Sequence, residues 1–141
     1  MSDAIQRFIE AYTHLNKDNL SGLQSVYHEQ CLFEDPIHTC EGWDALHHHL
    51  KTMYDNTTQC KFVIKTWTGN EEQLFLQWSL TFAHTKLFSG KKQELEGCSR
   101  VEFADGRVRY HRDFFDLGGM VYEGLPLIGF LIRRIKSRLG S

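Results

Sequence analysis

No pair of the four cysteines, Cys31, Cys40, Cys60 and Cys98, has C-x-x-C spacing, and four thiols in 141 residues fall short of the density of a disulfide-stapled secreted domain. Reduced thiols in a cytoplasmic protein are the expectation. The chain also lacks any apolar run approaching membrane-spanning length, and its start, Met1 to Arg7, lacks the basic segment and apolar core of a signal peptide. A formal net charge of −2 leaves no basic excess for phosphate recognition, which excludes a general nucleic-acid binder. There is no Gly-rich phosphate loop, nucleophile elbow or catalytic-cysteine signature. No cofactor is therefore expected, and any catalysis should be acid/base work. With no internal repeat, low-complexity stretch or linker, residues 1–141 are expected to form a single domain.

What is present is a folded composition, 41% hydrophobic and 24% charged, with a 13% aromatic share high enough to line a pocket as well as a core. Ile5, Phe8, Ile9, Tyr12 and Leu15 recur at helical spacing and predict a first helix over about 3–15. Asp18 or Asn19 then caps a short second helix burying Leu20, Leu23, Val26 and Tyr27. Cys31 to Asp35 reads as a short strand stopped by Pro36, and Trp43 to Tyr54 as a third helix with Trp43, Leu46, Leu50 and Met53 inward. Strands follow over Cys60–Trp67, Gln73–Leu87, Gln93–Phe103 and from Val108 onward, in an antiparallel meander. This order predicts an α+β domain with helices on one face of a curved sheet.

The stretch Asp105-Gly106 followed by Val108 to Asp116 organises the rest, because Asp-Gly is a strong hairpin signal and the strand after it carries many ionisable groups. Alternation places Val108, Tyr110, Arg112 and Phe114 on one face and Arg109, His111, Asp113 and Phe115 on the other. Trp78, Leu80, Phe82 and His84 alternate on the long middle strand, and Leu95, Gly97, Ser99 and Val101 on its neighbour, which predicts an apolar lining for a hydrophobic ligand. Gly97 either bends the sheet or leaves room. His47-His48-His49 is not expected to bind metal, because adjacent helical residues point about 100° apart. No metal site is expected elsewhere.

The element order and two motifs resemble the nuclear-transport-factor-2-like (NTF2-like) superfamily over about residues 3–120, the cone fold of ketosteroid isomerase, limonene epoxide hydrolase and SnoaL-like polyketide cyclases. Phe33-Glu34-Asp35-Pro36 is similar to the isomerase stretch whose Asp moves the substrate proton, which implies Asp35 as general base. His111-Arg112-Asp113-Phe114-Phe115-Asp116 is similar to the epoxide hydrolase strand whose first Asp is an acid/base residue, which implies that role for Asp113. The isomerase's oxyanion residues fall on Ala11 and near Ser99, and the hydrolase's other catalytic pair on Phe82 and Leu80, so neither specific activity is implied.

The resemblance places Asp35 and Asp113 on opposite walls of one apolar cavity, where two carboxylates should not both ionise easily and one is expected to stay protonated. His111 would orient Asp113 or shuttle its proton. Tyr12, Phe33, Trp78, Leu80 and Phe82, with Leu95, Gly97, Ser99 and Phe115, are the expected substrate-binding set. The expected activity is isomerisation, cyclisation or dehydration of a hydrophobic small molecule; the alternative is a non-catalytic small-molecule-binding or assembly module. The plainer reading of the carboxylates is that Asp35 caps the Pro36 turn and Asp113 pairs with Arg109 or Arg112.

The superfamily commonly pairs through the other sheet face, so a homodimer through Phe75, Val108, Tyr110 and Phe114 is expected. Residues 124–141 contain Arg133, Arg134, Lys136 and Arg138 and no acid. Leu125, Ile128, Ile132, Ile135 and Leu139 form a stripe on a helix starting near Pro126. Closure of the pocket mouth or packing on the domain is expected, with weak contact to an anionic membrane through 125–139 as the alternative.

Overall fold

A computed structural model describes residues 2–120 and 126–140. Helix α1 (Asp3–Thr13) begins where the Ile5 N–H donates to Ser2 Oγ at 3.2 Å, and it buries Ile5, Phe8 and Tyr12 along one stripe. The expected second helix is a short 3-10 helix, Leu20–Ser25. Its sequence, Leu-Ser-Gly-Leu-Gln-Ser, is a weak helix former, yet two tight turns suffice to bury Leu20 and Leu23. The chain then enters strand β1 (Tyr27–Glu34) four residues earlier than expected, because Tyr27 already pairs with Val108 across the sheet.

At Pro36 the chain turns back as strand β2 (Thr39–Glu41), which local patterning did not reveal and which pairs antiparallel with β1. Helix α2 (Trp43–Asp55) follows, burying Trp43, Leu46, Leu50 and Tyr54. The meander is as expected: β3 (Thr57–Gly69), β4 (Leu74–His84), β5 (Gln93–Ala104) and β6 (Arg107–Phe115) pair antiparallel in sequence order. β1 joins parallel to β6, giving one six-stranded sheet in the order β2-β1-β6-β5-β4-β3. Helices α1 and α2 pack on one face of this curved sheet, as an NTF2-like cone requires.

The β5–β6 hairpin turns through Asp105 (φ 55°) and Gly106 (φ 76°), the left-handed pair that a two-residue hairpin needs. One detail of the predicted alternation fails here. Glu102 pairs with Tyr110 and Phe103 with Val108, so Arg109 is an extra, unpaired residue. That bulge turns Val108 into the core, fully buried, and leaves Arg109 exposed. His111, Asp113 and Phe115 keep the inward face, whereas Val108 does not belong to the outer one.

After a short helix, α3 (Leu117–Met120), helix α4 (Pro126–Leu139) carries the basic cluster. Lys136 Nζ donates to Asp116 Oδ2 at 2.8 Å, and Ile132 lies close to Gly118. Phe130, Leu131, Ile135 and Leu139 are exposed, so the expected stripe is only partly covered. Leu125 and the side chain of Ile128 lie outside the described residues. None of the described side chains of α4 lines the cavity below. Among the described residues no helix is long and apolar enough to cross a membrane.

Candidate functional site

The concave face of the sheet and the two helices above it enclose a cavity of about 330 Å³. Period-2 alternation on β4 sends Trp78, Leu80 and Phe82 into it, joined by Leu95 from β5, Phe62 from β3 and Phe115 from β6. Tyr12 of α1, Phe33 of β1 and Leu50 and Met53 of α2 complete an apolar enclosure, the surroundings that favour a hydrophobic ligand. Gly97 does not touch the cavity: it faces Trp78 across the β4–β5 pair, and a Cβ there would collide with the indole. Its missing side chain is what lets the Trp78 ring lie across the sheet.

Asp113 is the carboxylate that the fold builds into this wall. His111 Nε2 lies 2.6 Å and Ser99 Oγ 2.5 Å from its Oδ1. Behind His111, the Tyr27 hydroxyl lies 2.7 Å from Nδ1 and the Tyr12 hydroxyl 2.6 Å from that of Tyr27. On the other side the Trp78 indole N–H donates to Ser99 Oγ at 2.8 Å. One proton arrangement satisfies all six groups: Tyr12 donates to Tyr27, Tyr27 to His111 Nδ1, His111 Nε2–H to Asp113, and Trp78 to Ser99, whose hydroxyl also donates to Asp113. Two donor chains thus converge on one carboxylate oxygen inside the protein, where such networks hold their geometry firmly. Burial raises both the Tyr12 and Tyr27 hydroxyls above the ordinary tyrosine range, so they act here as neutral donors.

Asp35 is held by different means. Its Oδ1 accepts from the backbone N–H groups of Ile37 (2.8 Å) and His38 (2.7 Å), closing the turn at Pro36. His38 Nδ1 stands 3.2 Å from Oδ1, and His49 Nε2, from α2, 3.6 Å from Oδ2. Burial pushes the Asp35 carboxyl up, but the His49 ring and the two backbone donors together outweigh it and hold the group at about 2 against its ordinary 3.8. Asp35 is therefore not the protonated member of a carboxylate pair.

Of the expected residues, Asp35, Asp113, Tyr12, Phe33, Trp78, Leu80, Phe82, Leu95 and Phe115 all line the cavity. His111 and Ser99 stand behind Asp113, bordering a separate void of about 20 Å³ whose lining shares Tyr12, Phe62, Trp78 and Asp113 with the main cavity. Phe33 pairs with His111 and Glu34 with Arg112, so Asp113 lies on β6 and Asp35 is the first residue past the end of β1, the strand beside it. Asp113 does not pair with Arg109 or Arg112; Arg112 lies over the Phe114 ring on the outer face. His84 lines the cavity where the alternation on β4 sends it, and His38 and His49, outside the expected set, line it as well. The His47-His48-His49 run splits as helix geometry demands: His47 stacks on Trp43, His48 is exposed, and His49 alone turns inward. Its spacing of one turn from Met53 on the buried stripe was the available signal.

Comparison with known proteins agrees with this architecture. No curated protein matches the chain. Among solved structures, an NTF2-like protein of unknown function from Burkholderia pseudomallei is similar at a TM-score of 0.76 and 16% identity, covering 85% of this chain and 95% of its own. A candidate SnoaL-like polyketide cyclase from Jannaschia sp. has a TM-score of 0.71 at 16% identity, covering 84% and 86%. TerC, co-crystallised with polyporic acid, has a TM-score of 0.73 at 13% identity, covering 84% and 95%. At such identities the likeness concerns the fold. The model of the SnoaL-like domain family matches residues 5–111, from the first turn of α1 to the histidine behind Asp113, and the chain belongs to that family.

Proposed function

We propose that the cavity binds a hydrophobic, carbonyl-bearing small molecule and that Asp113 moves a proton on it, in a reaction of the isomerase, cyclase or dehydratase type. The carrying observation is the convergence of Ser99 and His111 on Asp113 Oδ1, at 2.5 and 2.6 Å, in an otherwise apolar wall. That arrangement fixes the carboxylate's direction, and Tyr27 behind His111 can follow a change in its charge without solvent rearrangement. His111 is a positioning residue in this scheme, because it touches Asp113 and not the main cavity. Neighbours bearing the names polyketide cyclase and isomerase of the SnoaL-like family support the class of chemistry.

The test is capture of ligand from a metabolite extract by wild-type protein and Asp113→Asn, followed by mass spectrometry of bound and released species in heavy water. Wild type should release its ligand transformed or deuterated, and the variant should retain it unchanged. Identical unchanged ligand from both would make the chain a binding module.

The outer sheet face leaves Val63, Phe75 and Phe114 between 42% and 47% exposed, and a homodimer through this face is proposed with them, Val108 being excluded by its burial. Light scattering should give twice the chain mass, and Phe75→Ser with Phe114→Ser should halve it. Weak contact of 125–139 with anionic vesicles is proposed on the exposed Phe130, Leu131, Ile135 and Leu139 beside the basic residues; vesicle co-sedimentation that ignores lipid charge would remove it.

A further inference from the structure

The residues around Asp35 form a constellation that proton transfer at Asp113 does not use. Asp35, His38 and His49 each offer one ligand atom to a common point, and the three atoms lie within 4.8 Å of one another. Two of the separations are already near coordination geometry. Asp35 Oδ2 is 3.4 Å from His38 Nδ1 and 3.6 Å from His49 Nε2; tetrahedral bonds of about 2.0–2.1 Å set ligand atoms about 3.3 Å apart. The two imidazoles lie side by side with centroids 4.2 Å apart.

The support of these ligands also fits. The Asp35 carboxylate is oriented by two backbone N–H donors, the outer hydrogen bonding that commonly fixes a ligating carboxylate. His49 is held on a regular helix, while His38, 45% exposed by side chain, sits on the β1–β2 turn and is free to adjust. All three line the cavity, so positions not filled by protein face its interior. Among the described residues this is the one such grouping of His, Cys, Asp and Glu.

We propose that Asp35, His38 and His49 form a binding site for a divalent first-row transition ion at the cavity wall, with open positions for an oxygen of the bound molecule. Two imidazoles and one carboxylate suit zinc or ferrous iron rather than magnesium or calcium, which take all-oxygen sites. The site stands independently of the proton-transfer reading.

The test uses the full chain, freed of metal by chelator and titrated with Co²⁺ as a visible probe, then with Zn²⁺ and Mg²⁺ as competitors. One Co²⁺ per chain with a ligand-field spectrum of mixed nitrogen and oxygen coordination is expected, displaced by Zn²⁺ and not by Mg²⁺. Asp35→Asn, His38→Ala and His49→Ala should each weaken binding about tenfold or more. His47→Ala, His48→Ala and Asp113→Asn should leave it unchanged. Because Asp35→Asn also alters a turn, the wild-type melting temperature provides a second reading and should rise with Zn²⁺. No rise in wild type, binding that survives His49→Ala, or binding lost on changing His47 or His48 overturns the proposal. Loss of metal binding with Asp113-dependent turnover intact removes this site alone, and the converse removes the proton-transfer reading alone.

Discussion

Asp35, on the turn after β1, and Asp113, on β6, line one cavity, yet what surrounds each was assembled over very different distances along the chain. Asp35 takes two donors from residues two and three positions ahead and meets one histidine from the next helix. Asp113 is reached through Ser99, His111, Tyr27, Tyr12 and Trp78, which come from β5, β6, β1, α1 and β4. The first is a turn closed by residues adjacent in sequence. The second exists only once the sheet has closed and α1 has docked on it. Two like carboxyl groups thus acquire unlike properties: Asp35 is an anion fixed at a turn, whereas Asp113 is the end of a buried donor network.

The strongest way to break this contrast is to neutralise each group in turn. Asp113→Asn should lower turnover of the captured ligand by about 10²–10⁴-fold with ligand retention little changed, the range for loss of an acid/base group. An equal loss of turnover in a Ser99→Ala control, without change in Asp113→Asn, would move the chemistry off Asp113.

Stability should separate the two surroundings next. His111→Ala leaves Asp113 and the Tyr27 hydroxyl each short of a buried partner and opens space, and should cost about 2–4 kcal/mol by urea unfolding. His49→Ala, at the cavity edge, should cost about 1 kcal/mol or less. Equal costs would show that the network around Asp113 is no more demanding than the turn around Asp35.

A smaller effect is expected at Gly97, where a methyl group must displace the Trp78 indole. Gly97→Ala should destabilise by about 1–3 kcal/mol and shift the tryptophan fluorescence, as Trp78 loses its bond to Ser99. An unchanged spectrum would mean the ring is not held there.

The smallest effect is at acid pH in metal-free buffer. Because the folded state holds Asp35 at about 2 against 3.8, its contribution to stability is fully present above about pH 4 and disappears as pH falls through about 2. The difference in urea midpoint between wild type and Asp35→Asn should narrow over that window. A difference constant from pH 5 to pH 2 would show that His49 and the turn do not bias the carboxyl.

Much of the inward face was legible because strand alternation is a property of neighbouring residues: Trp78, Leu80, Phe82 and Leu95 lie where period 2 sends them. The Asp105-Gly106 hairpin was legible for the same reason, since its left-handed backbone is a local preference. Pro36 likewise announced the turn that Asp35 closes. Alternation failed at Arg109, because a bulge depends on how β6 pairs with β5 and is invisible to β6 alone. The parallel pairing of β1 with β6 was equally hidden, and with it the fact that Asp35 ends the strand that lies beside the strand of Asp113.

The chain's own residues, read in order, determined the α+β class, the helical stripes, the hairpins and which side chains point inward, because these follow from backbone geometry and from partners a few positions away. Only the tertiary structure decided that Gly97 makes room for Trp78, that His49 alone of its triplet meets Asp35, and that Tyr12 and Tyr27 stand behind His111. Those pairings join residues up to 84 positions apart. A hydrogen bond needs its two atoms within about 3 Å, and no local pattern carries that distance; it is set by how the sheet curves and where the helices come to rest.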